Sequence, residues 1–234
     1  MRLSARVVGI IRRPRVTLQE VSSQPRWASL LLVLTLVTAA TGALVFSTEI
    51  GQLALVDQWE RTTLAFGQPV DDTRYAALQT WSRLGPVVAL ANAVLSGPGV
   101  VVVVSLLAFG WLRRAAPQVT LRQVVAVVVH AGVILALGRV VAAPLVYARE
   151  TTASATTIGA WFSGLDEASP LARLLGAIDL FAVWWAVVLG IGIAVLSGRR
   201  TRSCAAWLVT VYIGLACVLA AVMAGAAIWS GGAA

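Results

Sequence analysis

The stretch 174-LLGAIDLFAVWWAVVLGIGIAV-195 decides the fold. A run this long with a single charge has the length and polarity of a membrane-spanning helix, which needs about 20 consecutive apolar residues. Its one charge, Asp179, is the difficulty. An acidic group at the centre of such a span costs roughly 2.5–3.5 kcal/mol on insertion scales, so it calls for a partner or a function.

Four further apolar runs flank it: 27-WASLLLVLTLVTAATGALVFS-47, 86-PVVALANAVLSGPGVVVVVSLLAFGW-111, residues 121–147, and 205-AAWLVTVYIGLACVLAAVMAGAAIW-229. The opening stretch extends to 171–197. With 59% hydrophobic residues, 12% charged residues and a mean hydropathy of +0.87 over 234 residues, the chain reads as an all-α, polytopic bundle of five transmembrane helices. Residues 1–26 form a basic leader. Residues 27–234 form one membrane domain, with an outer helical hairpin at about 48–85.

Loop charges orient the bundle. Arg2, Arg6, Arg12, Arg13, Arg15, Arg26, Arg113, Arg114, Arg122, Arg199, Arg200 and Arg202 face one side against Glu20 alone, a net +11. The other side carries five arginines against eight acids, a net −3. The positive-inside rule then puts the N-terminus in the cytoplasm and the C-terminus outside. Trp27, Trp111 and Trp207 fall at the cytoplasmic interface and Trp229 at the outer one. The net charge of +8 follows from this topology and predicts no nucleic-acid partner. All basic residues are Arg, which with abundant Ala and Val matches a GC-rich bacterial coding bias and an inner-membrane location. The first apolar run is too long, and its basic preamble too extended, for a cleaved signal peptide.

Outside the spans, Pro14 is expected to break any helix from above, and Thr17 with Glu20 has capping-box spacing. Leu18 and Val21 form a short apolar stripe. Either a surface helix with Arg12, Arg13 and Arg15 near anionic headgroups, or a plain basic flank, fits this pattern. Between the first two spans Ile50, Leu53, Val56 and Trp59 recur every three residues, so the first span is expected to continue as one helix to about Phe66. A break at Gly67-Gln68-Pro69 follows. Asp71 or Asp72 then caps a helix carrying Tyr75, Leu78 and Trp81. The hairpin is read as a self-packed lid, with a partner-binding face as the alternative. The outer loop from Ala148 to Pro170, with its run 151-TTASATT-157, reads as mobile apart from an interfacial anchor at Trp161-Phe162.

Within the spans, depth gives Asp179 a partner. Arg139 lies eight residues before the outer end of the third span and Asp179 eight after the outer end of the fourth, so both sit about 12 Å deep at 1.5 Å per residue. An Arg139–Asp179 ion pair is expected, structural by preference and part of a proton or substrate path otherwise. His130 lies half a turn round from Arg139 and is read as an interhelical hydrogen-bonded histidine. Gly97, Pro98 and Gly99 predict a kink that lets helices pack closely, near Asn92, which is suited to cap or cross-link. Ala182, Ala186, Gly190 and Ala194 repeat every four residues as a packing stripe; Cys217, Ala221 and Gly225 make a similar one. No HExxH, GxSxG, paired intramembrane aspartates or Cys/His cluster is present, so no catalytic residue, metal or cofactor is expected.

Two stretches resemble the Yip family of polytopic membrane proteins. In 10-IIRRPRVTLQEVSSQPRW-27 a proline, a short turn and a second proline precede the first span, with Leu18 where the family carries an aromatic. In 175-LGAIDLFAVWWAVVLGIGIAV-195 the pattern L-x-x-x-D-x-F-x-x-W runs into small residues. Pro14, Asp179, Phe181 and Trp184 occupy the matching positions. For eukaryotic relatives the resemblance implies Rab-GTPase-linked vesicle trafficking, which a bacterial chain does not inherit. What it implies here is a five-span membrane scaffold or accessory subunit. Its expected partners are the lipid bilayer and other membrane proteins, in a larger complex or a homo-oligomer. The alternative is a small transporter or proton-coupled channel using Arg139 and Asp179.

Overall fold

Pro14 sets the first helix boundary. It disfavours helix in the residue before it, so α1 (Leu3–Arg12) stops short and α2 (Pro14–Ser23) begins on the proline itself. Proline at a first helical position is preorganised to start the helix. This corrects the expected start at Thr17, whose hydroxyl donates 3.1 Å back to the Arg13 carbonyl. The computed structural model describes residues 3–65, 68–149, 156–162 and 170–231. Gly67, residues 151–155, Glu150, Asp166, Glu167 and the side chain of Trp229 lie outside the described residues. Among the described residues the chain is helical and forms no strand, with one isolated bridge between Thr157 and Asp179.

Five helical segments are long and apolar enough to cross a bilayer: Ala28–Phe46 (α3), Gly85–Ala115 (α6), Leu121–Arg149, Leu180–Ser197 (α10) and Thr201–Val222 within α11 (Thr201–Gly231). The third is built from α7 (Leu121–Ala131) and α8 (Val133–Arg149), interrupted at Gly132. The shortest, at 18 residues, is about 27 Å long, close to a hydrocarbon thickness of about 30 Å.

The chain divides into two compact units. Residues 1–38, 92–138 and 181–212 form the first; residues 39–91, 139–180 and 213–234 form the second. The first is built around α7, whose run from Val124 to Val129 is apolar on every side and is covered accordingly. Val124, Val127 and Val128 of α7 join Ile134, Leu189 and Ile193 in a buried core, together with Ile10 and Leu18 from the leader. The leader's apolar stripe is therefore covered by protein, while Arg12, Arg13 and Arg15 remain exposed. Thr120 and Gln123 form a reciprocal capping box at the start of α7, and the Gln123 amide also donates 3.1 Å to the Ser22 carbonyl at the end of α2.

Close approach explains the small residues of α10. A Cβ on Gly190 would lie 2.5 Å from the Ala205 Cα of α11, and one on Gly138 of α8 would lie 2.8 Å from the Phe181 ring. The α10–α11 turn uses Gly198 at φ +69°, a left-handed conformation that glycine adopts without a Cβ penalty. Near that turn Trp111 and Trp207 stack with centroids 5.8 Å apart, and the Arg199 guanidinium lies 5.0 Å over Trp111.

In the second unit the first span does not continue to Phe66. The chain breaks at Ser47-Thr48, and the Thr48 hydroxyl accepts from the Gly51 amide at 3.2 Å to open α4 (Glu49–Ala65). The buried face of α4 is Gly51, Ala54, Leu55 and Val56; of the three-residue stripe Val56 is buried and Trp59 half-buried, while Ile50 and Leu53 are exposed. Small residues on the buried face let α4 pack closely. Helix α5 (Asp72–Ser82) returns along α4, capped by Asp71, whose carboxylate accepts from the Arg74 amide and the Thr73 hydroxyl, each at 2.8 Å. Those bonds hold the Asp71 carboxyl below its ordinary range, the amide contributing most. Tyr75 and Trp81 of α5 are exposed.

Candidate functional site

Asp179 sits at a helix break. The apolar run 171–197 is two helices, α9 (Pro170–Ala177) and α10, with Ile178 and Asp179 between them. At that gap the segment 156–158 pairs with the chain: the Ile158 amide donates 2.9 Å to the Ile178 carbonyl, and the Leu180 amide 3.0 Å to the Thr156 carbonyl. The Thr156 hydroxyl donates to the Asp179 carboxylate. Asp179 also immediately precedes α10, where the helix dipole favours an anion. A 3₁₀ turn, Ile158–Trp161, then lies against α9. Trp161 and Phe162 are exposed beyond it.

Arg139, the expected partner, is exposed on α8, and no ion pair joins it to Asp179 among the described residues. Depth matching assumed an unbroken fourth helix; the gap at 178–179 removes that premise. The Gly97-Pro98-Gly99 segment lacks the close packing expected of it. Helix α6 runs continuously through Pro98, and a Cβ on Gly97 or Gly99 would meet nothing within 4 Å, so these glycines serve no close packing. Asn92 is exposed, its carbonyl accepting from the Ser96 hydroxyl at 2.6 Å. Ala186, Gly190 and Ala194 are buried, and Ala182 half-buried. Cys217, Ala221 and Gly225 are exposed instead of internally packed.

The most demanding polar cluster lies in the first unit. On α1, Arg6 is one turn from Ile10, so the helix register turns it inward; it is 8% exposed. Its Nη1 donates to the Arg26 carbonyl at 3.4 Å, while its buried Nε has no hydrogen-bond partner among the described residues. His130, near the end of α7, is 0% exposed. Its Nδ1 donates 2.7 Å to the Ala126 carbonyl, a bond within its own helix and not between helices. Its buried Nε2 has no partner among the described residues. Both side chains line a cavity of about 170 Å³ with Leu3, Arg26, Ser29 and Leu30.

Arg6, Arg26 and Ser29 were not legible as a site, because 124 positions separate Arg6 from His130. A partial signal existed: Leu3, Arg6, Val7 and Ile10 have helical spacing, which sets an arginine on an apolar face.

A family model described as Yip1 domain matches residues 8–223. No curated protein and no solved structure matches the chain.

Proposed function

The chain belongs to the Yip1-domain family of integral membrane proteins, and on that premise we propose that it is a non-enzymatic scaffold or accessory subunit that binds other membrane proteins or lipids. The observation that best supports this reading is the uneven burial of its spans. Within the chain the third and fourth spans bury 61% and 44% of their apolar windows, whereas the first, second and fifth bury 17%, 11% and 11%. Three spans thus direct most of their apolar surface away from their own chain, and bilayer or neighbouring proteins must cover it. Loop charge supports a cytoplasmic N-terminus and an external C-terminus. The all-arginine basic set supports a bacterial inner membrane, with Arg12, Arg13 and Arg15 against its headgroups.

Photocrosslinking residues at Leu107 on α6 and Leu215 on α11, both exposed, test this in native membranes, with buried Val128 as the control. A discrete protein adduct at an exposed position, to another protein or to a second copy of the chain, is expected. Lipid adducts alone, together with a lone monomer on purification in mild detergent, overturn the protein-binding reading. Proton or solute flux in proteoliposomes, abolished by Asp179→Asn without loss of assembly, would favour a transporter instead.

A further inference from the structure

We propose that the cavity formed by α1, the first turn of α3 and the end of α7 binds a phosphate monoester group, either as free phosphate or as the headgroup of a phosphatidic-acid-type lipid. The Arg6 guanidinium carries the first half of the argument. It is 8% exposed, and among the described residues its Nε–H has no partner and its one hydrogen bond is a 3.4 Å contact to a neutral carbonyl. No carboxylate bonds to it among the described residues. A charge buried in that state is costly unless an anion meets it, and Arg26, whose carbonyl Arg6 contacts, is a second basic residue lining the same cavity.

His130 narrows the anion. The Ala126 carbonyl can only accept, so Nδ1 carries the hydrogen, and in the neutral ring the buried, unpartnered Nε2 of this cavity-lining residue is an acceptor. The ligand must therefore offer oxyanions to Arg6 and a hydrogen to His130. Chloride, sulfate, an ionised carboxylate and a phosphodiester group lack that hydrogen. A phosphate monoester as its monoanion has both P–O⁻ and P–OH. Ser29 supplies a hydroxyl that serves either role. The 170 Å³ cavity equals about six waters at roughly 30 Å³ each, more than a single water bridging Arg6 to His130 fills. Ser29 and Leu30 lie in the first turn of the first span, next to Trp27, at the level where headgroups sit. The site uses residues separate from the exposed span faces, so it and the scaffold reading can fail independently.

The test uses the full chain in phosphatidylcholine nanodiscs doped with phosphatidic acid or phosphatidylglycerol, read by native mass spectrometry. In parallel, thermal unfolding in detergent compares inorganic phosphate with sulfate. Saturable binding of phosphatidic acid, at least tenfold over phosphatidylglycerol, is expected. Arg6→Gln should weaken it roughly ten- to a hundredfold, as loss of a charge-assisted bond does. Arg26→Gln, at an exposed residue and so tolerated by the fold, should weaken it severalfold. Stabilisation by phosphate and not sulfate assigns a free-phosphate source; phosphatidic acid alone assigns a lipid source. No saturable binding, indifference between monoester and diester or between phosphate and sulfate, or unchanged binding in both variants overturns the proposal.

Discussion

Gly190→Ala is the sharpest test of how the first unit holds together. The new Cβ would lie 2.5 Å and 2.8 Å from the Cα and N of Ala205, and 3.0 Å from the carbonyl carbon of Cys204, where ordinary contact is 3.4–4 Å. All three are backbone atoms, which cannot rotate aside, so α10 and α11 must separate by about 1 Å. Overpacking of this kind costs about 1–3 kcal/mol, offset by about 1 kcal/mol of helix propensity. The net loss is about 0–2 kcal/mol, or up to roughly 8 °C in Tm for a chain of this size. Gly214→Ala on the same α11 is the control: no atom lies within 4 Å of its Cβ position, so only the propensity gain acts and Tm should hold or rise. Tryptophan fluorescence on heating in detergent reads both, since Trp207, two residues beyond Ala205, stacks on Trp111. A Gly190→Ala protein that unfolds above the wild-type temperature, as the Gly214→Ala control can, would refute the close α10–α11 contact.

At the helix gap, a double-mutant cycle between Thr156→Val and Asp179→Asn should show coupling of roughly 1–3 kcal/mol, as expected for a hydrogen bond to a charged group. The cycle between Arg139→Gln and Asp179→Asn should show about none, and coupling above about 1 kcal/mol there would restore the ion pair. Helix α5 should loosen in acid. The Asp71 carboxyl is held below its ordinary value of 3.8, so its contribution is present above that value and lost as pH falls through the lower folded one. Hydrogen-exchange protection over 72–82, corrected for intrinsic rates, should fall on acidification. Asp71→Asn, itself a good cap, should flatten the profile; an acid-insensitive wild-type helix would contradict the cap.

The five spans were legible because length and apolarity are local properties that a run of sequence carries by itself. The breaks were less so, because tertiary partners make them. Nothing within 171–197 announces that backbone at 156–158 will pair across Ile178 and Asp179. Gly132 looks no different from a packing glycine until α7 and α8 part there. Half of the α4 face, Val56 and Trp59, was legible; Gly51 and Ala54, being small, contribute little to an apolar pattern yet permit close approach. Thr120 and Gln123 were readable, since Ser/Thr three residues before Gln is a local capping signature.

The cost of buried charge also falls on a different residue than an apolar-run reading selects. Asp179 looked expensive because its neighbours in sequence are apolar, yet it stands half-buried at the edge of an 18-residue span, with the Thr156 hydroxyl and a helix N-terminus to receive it. Arg6 looked inexpensive because its neighbours are a basic flank, yet α1 packs on α2 and α7 and takes it inside with an unpartnered Nε. Neighbours in sequence set hydropathy, but neighbours in space set desolvation. A search for function by charge within spans alone therefore passes over Arg6 and His130, where the first unit holds two buried polar atoms that a ligand would satisfy together.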